Sequence, residues 1–101
     1  MIAVLDIDKA AEMNIDGRDA VNVIGNAGTQ CSDIVMRLGD LCADEDYKEE
    51  IVKVTTLECI PADIQDSPVW SFNLNETTIE AEYNPVMSAG SDGAEYVKSI
   101  F

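Results

Sequence analysis

The chain of 101 residues contains no histidine, and only six of its residues are lysine or arginine. Each shortage excludes a chemistry. Without histidine there is no mixed Cys/His zinc set and no imidazole to activate a serine or cysteine nucleophile. The three cysteines, Cys31, Cys42 and Cys59, are widely spaced and form no C-x-x-C pair. No apolar run approaches the ~20 residues of a membrane span. The opening M-I-A-V-L-D-I-D has no basic segment and soon turns acidic, so no signal peptide is expected. Asn75-Glu76-Thr77 fits a glycosylation acceptor, a chance match without an export signal. All three cysteines are therefore expected to be reduced, small hydrophobes in the core. A reducing compartment, the cytoplasm, follows from that expectation.

What the chain has in excess is acid. Twenty Asp and Glu oppose the six cations and leave a net charge of −14. The densest stretch is Asp40–Glu50, where Asp40, Asp44, Glu45, Asp46, Glu49 and Glu50 face a single Lys48. From Val54 to Val97 there is no Lys or Arg, while Glu58, Asp63, Asp66, Glu76, Glu80, Glu82, Asp92 and Glu95 are added. Yet 47% of the residues are hydrophobic, enough to fold, so the acids belong on the outside of one domain spanning 1–101. Such a field draws in basic partners and repels nucleic acid and anionic membranes. Neither of the latter is expected as a direct partner.

Hydrophobic patterning predicts an α+β fold, with a small antiparallel sheet of three or four strands and helices on one face. Ile2–Ile7 reads as a strand, and Lys9–Asn14 as one helical turn or a loop. Asp16-Gly17 signals a turn. Arg18–Ile24 fits a short helix capped by Asp16, or a short strand. Gly25-Asn26-Ala27-Gly28 is expected to stop it. A helix follows, capped by Thr29 or Ser32, with Cys31, Ile34, Val35, Leu38, Leu41 and Cys42 in one apolar stripe. Gly39 inside that stripe suggests close packing or a kink. A helical turn or two over Asp44–Glu50 and a strand over Ile51–Ile60 come next. The competing reading is one helix from Asp44 to Cys59. Pro61 ends either. Val69–Tyr83 is the clearest hairpin: Trp70, Phe72 and Leu74 alternate with polar residues, as do Ile79, Ala81 and Tyr83, around an Asn75-Glu76 turn. Gly90-Ser91-Asp92-Gly93 reads as flexible loop, and Ala94–Phe101 as a last helical turn docking Val97, Ile100 and Phe101 on the sheet.

Three chemical motifs fail on inspection. Val4-Leu5-Asp6-Ile7-Asp8 resembles the first motif of haloacid-dehalogenase-type phosphatases, in which two carboxylates at a strand end hold magnesium. That pattern wants Thr or Val two residues after the second Asp, where this chain has Ala10. Read as a calcium loop, Asp6–Gly17 has Ala10 at the third ligand position, Ala11 in place of the turn glycine and Gly17 in place of the final Glu. Gly25-Asn26-Ala27-Gly28 lacks the spacing of a phosphate-binding loop. No enzymatic activity, cofactor or metal is expected.

Regularly spaced carboxylates can stand in for the phosphates of a nucleic acid. Alternate residues on a strand lie about 6.5–7 Å apart, near the phosphate spacing along one strand. Two candidate contact sets follow: Asp40, Asp44, Glu45, Asp46, Glu49 and Glu50, and then Glu76, Glu80 and Glu82 on the outer hairpin face, joined by Asp63 and Asp66. In size, acidity, absence of histidine and absence of a catalytic motif, the chain resembles the small phage-encoded anti-defence proteins, including anti-CRISPR proteins and nucleic-acid mimics. The resemblance is one of composition, and no functional residue is carried over from it. It implies a stoichiometric inhibitor acting in the host cytoplasm on a basic nucleic-acid-binding protein, a CRISPR effector subunit or a nuclease. The alternative is an adaptor, secretion chaperone or phage structural subunit, making contact through Trp70, Phe72, Tyr83, Ile100 and Phe101 or through a sheet edge.

Overall fold

The computed structural model describes residues 1–13 and 19–101. The Asp16-Gly17 turn and the Asp16 cap fall among the residues outside that description. The chain runs β1 (Ile2–Leu5), α1 (Ile7–Glu12), α2 (Ala20–Cys42), α3 (Lys48–Ile51), β2 (Thr56–Pro61), β3 (Trp70–Asn75), β4 (Thr78–Tyr83) and α4 (Ala89–Ala94). Short 3-10 turns at Pro85–Met87 and Val97–Ile100 complete it. This is a small α+β fold built on one four-stranded sheet in the order β1-β2-β4-β3.

The sheet is mixed rather than antiparallel. β1 pairs with β2, and β2 with β4, in parallel; only β3–β4 is antiparallel. The cause is α2. A helix of 23 residues extends about 34 Å, long enough to carry the chain back past the sheet so that β2 starts at the same end as β1.

That helix also overrides the local stop signals. Of the segment read as Arg18–Ile24, Arg18 lies outside the described residues; Ala20–Ile24 and the helix expected from Thr29 onward are parts of one element. Asp19 caps it, its carboxylate accepting from the Asn22 amide at 2.8 Å. Thr29 and Ser32 cap nothing; Thr29 lies mid-helix and donates its hydroxyl to the Gly25 carbonyl. The helix persists through Gly25 and Gly28 because Val23, Ala27, Cys31, Ile34, Leu38 and Leu41 form one buried stripe across all six turns. Gly39 is not a close-packing site, since nothing lies within 4 Å of where its Cβ would stand.

Several other boundaries differ from expectation. Ile7 leaves the strand for α1 because Asp6 caps that helix, accepting from the Lys9 amide at 3.0 Å. The segment 44–60 is turn, short helix and then strand, as read, but β2 begins at Thr56 rather than Ile51, and the single-helix alternative does not form. The hairpin turn is Glu76-Thr77, one residue later than read, with Glu76 at φ 57°. Gly90–Gly93 is helix α4, not flexible loop. A Cβ on Gly90 would meet Gln30 Cβ at 2.7 Å and Tyr83 Cδ2 at 2.9 Å, and one on Gly93 would meet Phe72 Cζ at 2.8 Å. Both glycines serve close approach of backbone to core.

One sheet face carries the core. Leu57, Cys59, Ile79, Ala81 and Tyr83 are fully buried there, against Ile34 and Leu38 of α2 and Ala89 and Val97 of the C-terminal turns. The hairpin register pairs Trp70 with Tyr83, Phe72 with Ala81 and Leu74 with Ile79, so the two apolar sets share one face as the alternation predicts, in a register set by the later turn. Ile100 and Phe101 dock on this core, and Trp70 stacks on Tyr96.

Buried polar groups are satisfied at the joints. The Tyr83 hydroxyl donates to the Ala27 carbonyl at 2.6 Å. Gln30 accepts from the Gly90 amide at 2.6 Å and donates to the Pro85 carbonyl, fixing α4 to α2.

The cysteines differ most from expectation. Cys31 and Cys59 are core residues but form a disulfide, with their sulfurs 2.02 Å apart, that ties α2 to the central strand β2. Cys42 is free and exposed rather than buried, because it sits at the last residue of α2, off the stripe.

Candidate functional site

The first carboxylate set is displayed by an anchored corner. α2 ends at Cys42, and Tyr47, Ile51 and Val54 then fix the following turn and α3 to the core. Pinned at those three apolar positions, the chain has no side left for its acids except solvent. Asp40, Asp44, Glu45, Asp46, Glu49 and Glu50 are all exposed. Asp44 also shapes the corner. Its carboxylate accepts from the Asp46 amide at 2.9 Å, and its carbonyl accepts from Tyr47 and Lys48. Asp40 lies in the last turn of α2, where the macrodipole disfavours an acid and no basic residue offsets it.

The second set lies on the sheet face opposite the core. Register places Val4, Glu58, Glu80 and Asn73 in one row across the four strands, and Glu82 between Ile60 and Ser71 in the next. Among the described residues no helix covers this face: Val4, Glu58, Glu82, Ser71 and Asn73 are exposed. Asn73 donates to Glu80 at 3.3 Å, its one recorded polar contact. Glu80 and Glu82 are therefore on the outer face, as the alternation indicates. Glu76 is at the hairpin tip.

Thr55, just before β2, donates its amide to the Thr77 carbonyl at 2.8 Å. The hairpin tip and the 40–50 corner thus share one end of the sheet. Asp63 and Asp66 follow the opposite end of β2 and are exposed there.

Glu58 belongs to the second set and was not among the predicted site residues. Its signal was available, since Leu57 and Cys59 flank it and alternation puts it on the wet face. Its place beside Glu80 was not, because that needs the parallel pairing of β2 and β4.

The acids are not neutralised from within. Among the described residues there is one ion pair, Lys53–Glu50 at 3.5 Å, exposed and of small energetic worth. Arg37 is half-buried, and its Nε is enclosed without a hydrogen-bond partner.

One of the two strand-end carboxylates has a structural use. Asp6 is the cap of α1, and among the described residues no three His, Cys, Asp or Glu side chains are grouped to hold a metal ion. Of the five apolar residues of the adaptor reading, one is enclosed and four are half-buried. Tyr83 is fully buried, and Trp70, Phe72, Ile100 and Phe101 pack on the core. Exposed large apolar side chains stand at several places: Met1, Ile2, Val4 and Ile7 at the free edge of β1, Val21 and Met36 on α2, and Val52, Met87 and Tyr96 elsewhere.

No protein-family profile, curated protein or solved structure matches the chain.

Proposed function

We propose that the chain is a non-enzymatic acidic inhibitor that occupies the nucleic-acid-binding surface of a basic protein, of the CRISPR-effector or nuclease kind. The supporting observation is the uncompensated carboxylate surface: two exposed sets, with a single ion pair among the described residues. Retaining so many like charges with so few cations costs folding stability through self-repulsion. A cationic groove recovers that cost, because carboxylates replacing phosphates form charge-assisted bonds to Arg and release counterions. The 40–50 corner is the primary contact, with Glu76, Glu80 and Glu82 second.

The site of action in this reading is the cytoplasm. Disulfides are rare there, and the Cys31–Cys59 bond removes the reduced-cysteine argument for that compartment, so action in the cytoplasm requires the bond to resist reduction. Its burial fits that need: Cys59 is 0% and Cys31 7% exposed, out of reach of an attacking thiolate.

The test is capture of host proteins on the immobilised chain and, in parallel, on its Asp44→Lys/Glu45→Lys/Glu49→Lys variant. A basic nucleic-acid-binding protein should be held by the first, elute at moderate salt and be lost from the second, while the variant's circular dichroism stays native. Equal retention on both would remove the corner from the mechanism.

The sheet-edge version of the adaptor reading has one observation of its own. β1 is an edge strand whose residues Ile2–Leu5 carry no charge, and such edges invite pairing. Partners bound there would persist through high salt.

A further inference from the structure

We infer that the open face of the sheet is a docking surface for a cationic amphipathic helix of a protein partner, lying along the strands. The inference rests on the reading that the acidic field serves a basic protein, and it names a part of that protein. Register puts Glu58 and Glu80 directly beside each other on the two central strands. Like charges so placed weaken a sheet, and the fold gains nothing from them that Thr or Gln would not supply. Lys9 lines the same groove as Glu58 at the strand ends but forms no ion pair with it.

A second observation is the apolar flank. Ile2 is 67% and Val4 50% exposed on the same face; Val4 shares the row of Glu58 and Glu80, and Ile2 lies two residues along β1, in the row of Thr56 and Thr78. Solubility explains exposed glutamates. It does not explain exposed Ile and Val alongside them.

The dimensions select the occupant. Four strands spaced about 4.8 Å apart make a face roughly 14 Å wide, which suits one helix of about 10–12 Å diameter. Along β4, Glu80 and Glu82 are about 6.5–7 Å apart, close to the rise of about 6 Å between residues i and i+4 of a helix. Arg or Lys at i and i+4 can then meet the two acids while apolar residues at i+3 and i+7 cover Val4 and Ile2. Charge excludes the other occupants. A second copy of this chain, placed face to face, would set Glu58, Glu80 and Glu82 against themselves, and a nucleic acid or anionic membrane would be repelled.

The probe is a synthetic helical peptide with Arg at i and i+4 and Leu at i+3 and i+7, compared with a shuffled peptide of identical composition. Binding is followed by titration calorimetry and by amide chemical shifts. The amphipathic peptide should bind about tenfold more tightly than the shuffled one and shift the amides of β2 and β4. Glu58→Gln/Glu80→Gln should abolish that preference while raising the melting temperature or leaving it unchanged. Val4→Ser should weaken the amphipathic peptide alone. Equal binding of both peptides, shifts confined to residues 40–50, or wild-type affinity in the Glu58→Gln/Glu80→Gln variant would each overturn the docking face. None of these results would touch the capture experiment on the 40–50 corner, so the two claims fail separately.

Discussion

Breaking the Cys31–Cys59 bond is the sharpest test of the fold. The bond spans a sequence separation of 28 and closes a loop containing α3 and most of α2. For a loop of that length the chain-entropy relation gives about 3.6 kcal/mol at 25 °C, gained by restricting the unfolded chain. A domain of this size has roughly 5–15 kcal/mol in total, so the bond is a large share. At about 4–8 °C per kcal/mol, its loss should lower the melting temperature by roughly 15–30 °C. The perturbation is Cys31→Ala/Cys59→Ala, monitored by thermal and urea unfolding. A thiol titration of the wild-type protein supplies the control. One thiol, Cys42, should react under native conditions, and three after denaturation with a dithiol reductant. Three reactive thiols in the native protein, or a melting temperature lowered by less than about 4 °C, would refute the reasoning.

Two further outcomes follow from the packing. Gly25→Ala and Gly39→Ala place a methyl in open space on α2 and should each stabilise by about 0.8–1 kcal/mol, whereas Gly90→Ala meets Gln30 and Tyr83 and should destabilise by about 1–3 kcal/mol; chemical denaturation resolves all three. Burial pushes the Tyr83 phenol well above its ordinary value, so the folded state keeps the neutral form. Its stabilising contribution is intact below the unfolded pKa of about 10 and is lost as the pH rises above it, because the unfolded chain ionises first. Alkaline titration by ultraviolet absorbance should therefore show Tyr83 ionising only together with unfolding, and a Tyr83 that titrates freely in the folded protein would contradict its burial.

The parts of the fold legible in the sequence are those set by neighbours along the chain. The hairpin is one: alternation from Trp70 to Tyr83 fixes its wet face, and with it the placement of Glu80 and Glu82, although the register depends on the turn at Glu76-Thr77. The acidic corner is another, since its acids have no apolar company beyond Tyr47 and the residues that follow. What was not legible depends on distant contacts. Gly25 and Gly28 look like a helix stop until the stripe from Val23 to Leu41 is laid against the sheet, where burial outweighs the glycine cost. Gly90 and Gly93 look flexible until Gln30, Tyr83 and Phe72 arrive against them. The disulfide joins residues on two elements whose approach no local pattern reveals, and an odd cysteine count pointed the other way. The Glu58–Glu80 pair is hidden for the same reason: it exists only because β4 returns to lie parallel to β2.

The central claim is that this surface stands in for a nucleic acid, and competition tests it most directly. A host protein captured on the immobilised chain is challenged with an oligonucleotide at constant salt. The account expects a basic nucleic-acid-binding protein, displaced by the oligonucleotide and absent from the Asp44→Lys/Glu45→Lys/Glu49→Lys column. A captured protein that the oligonucleotide leaves in place, and that stays on the variant column through high salt, would contradict it.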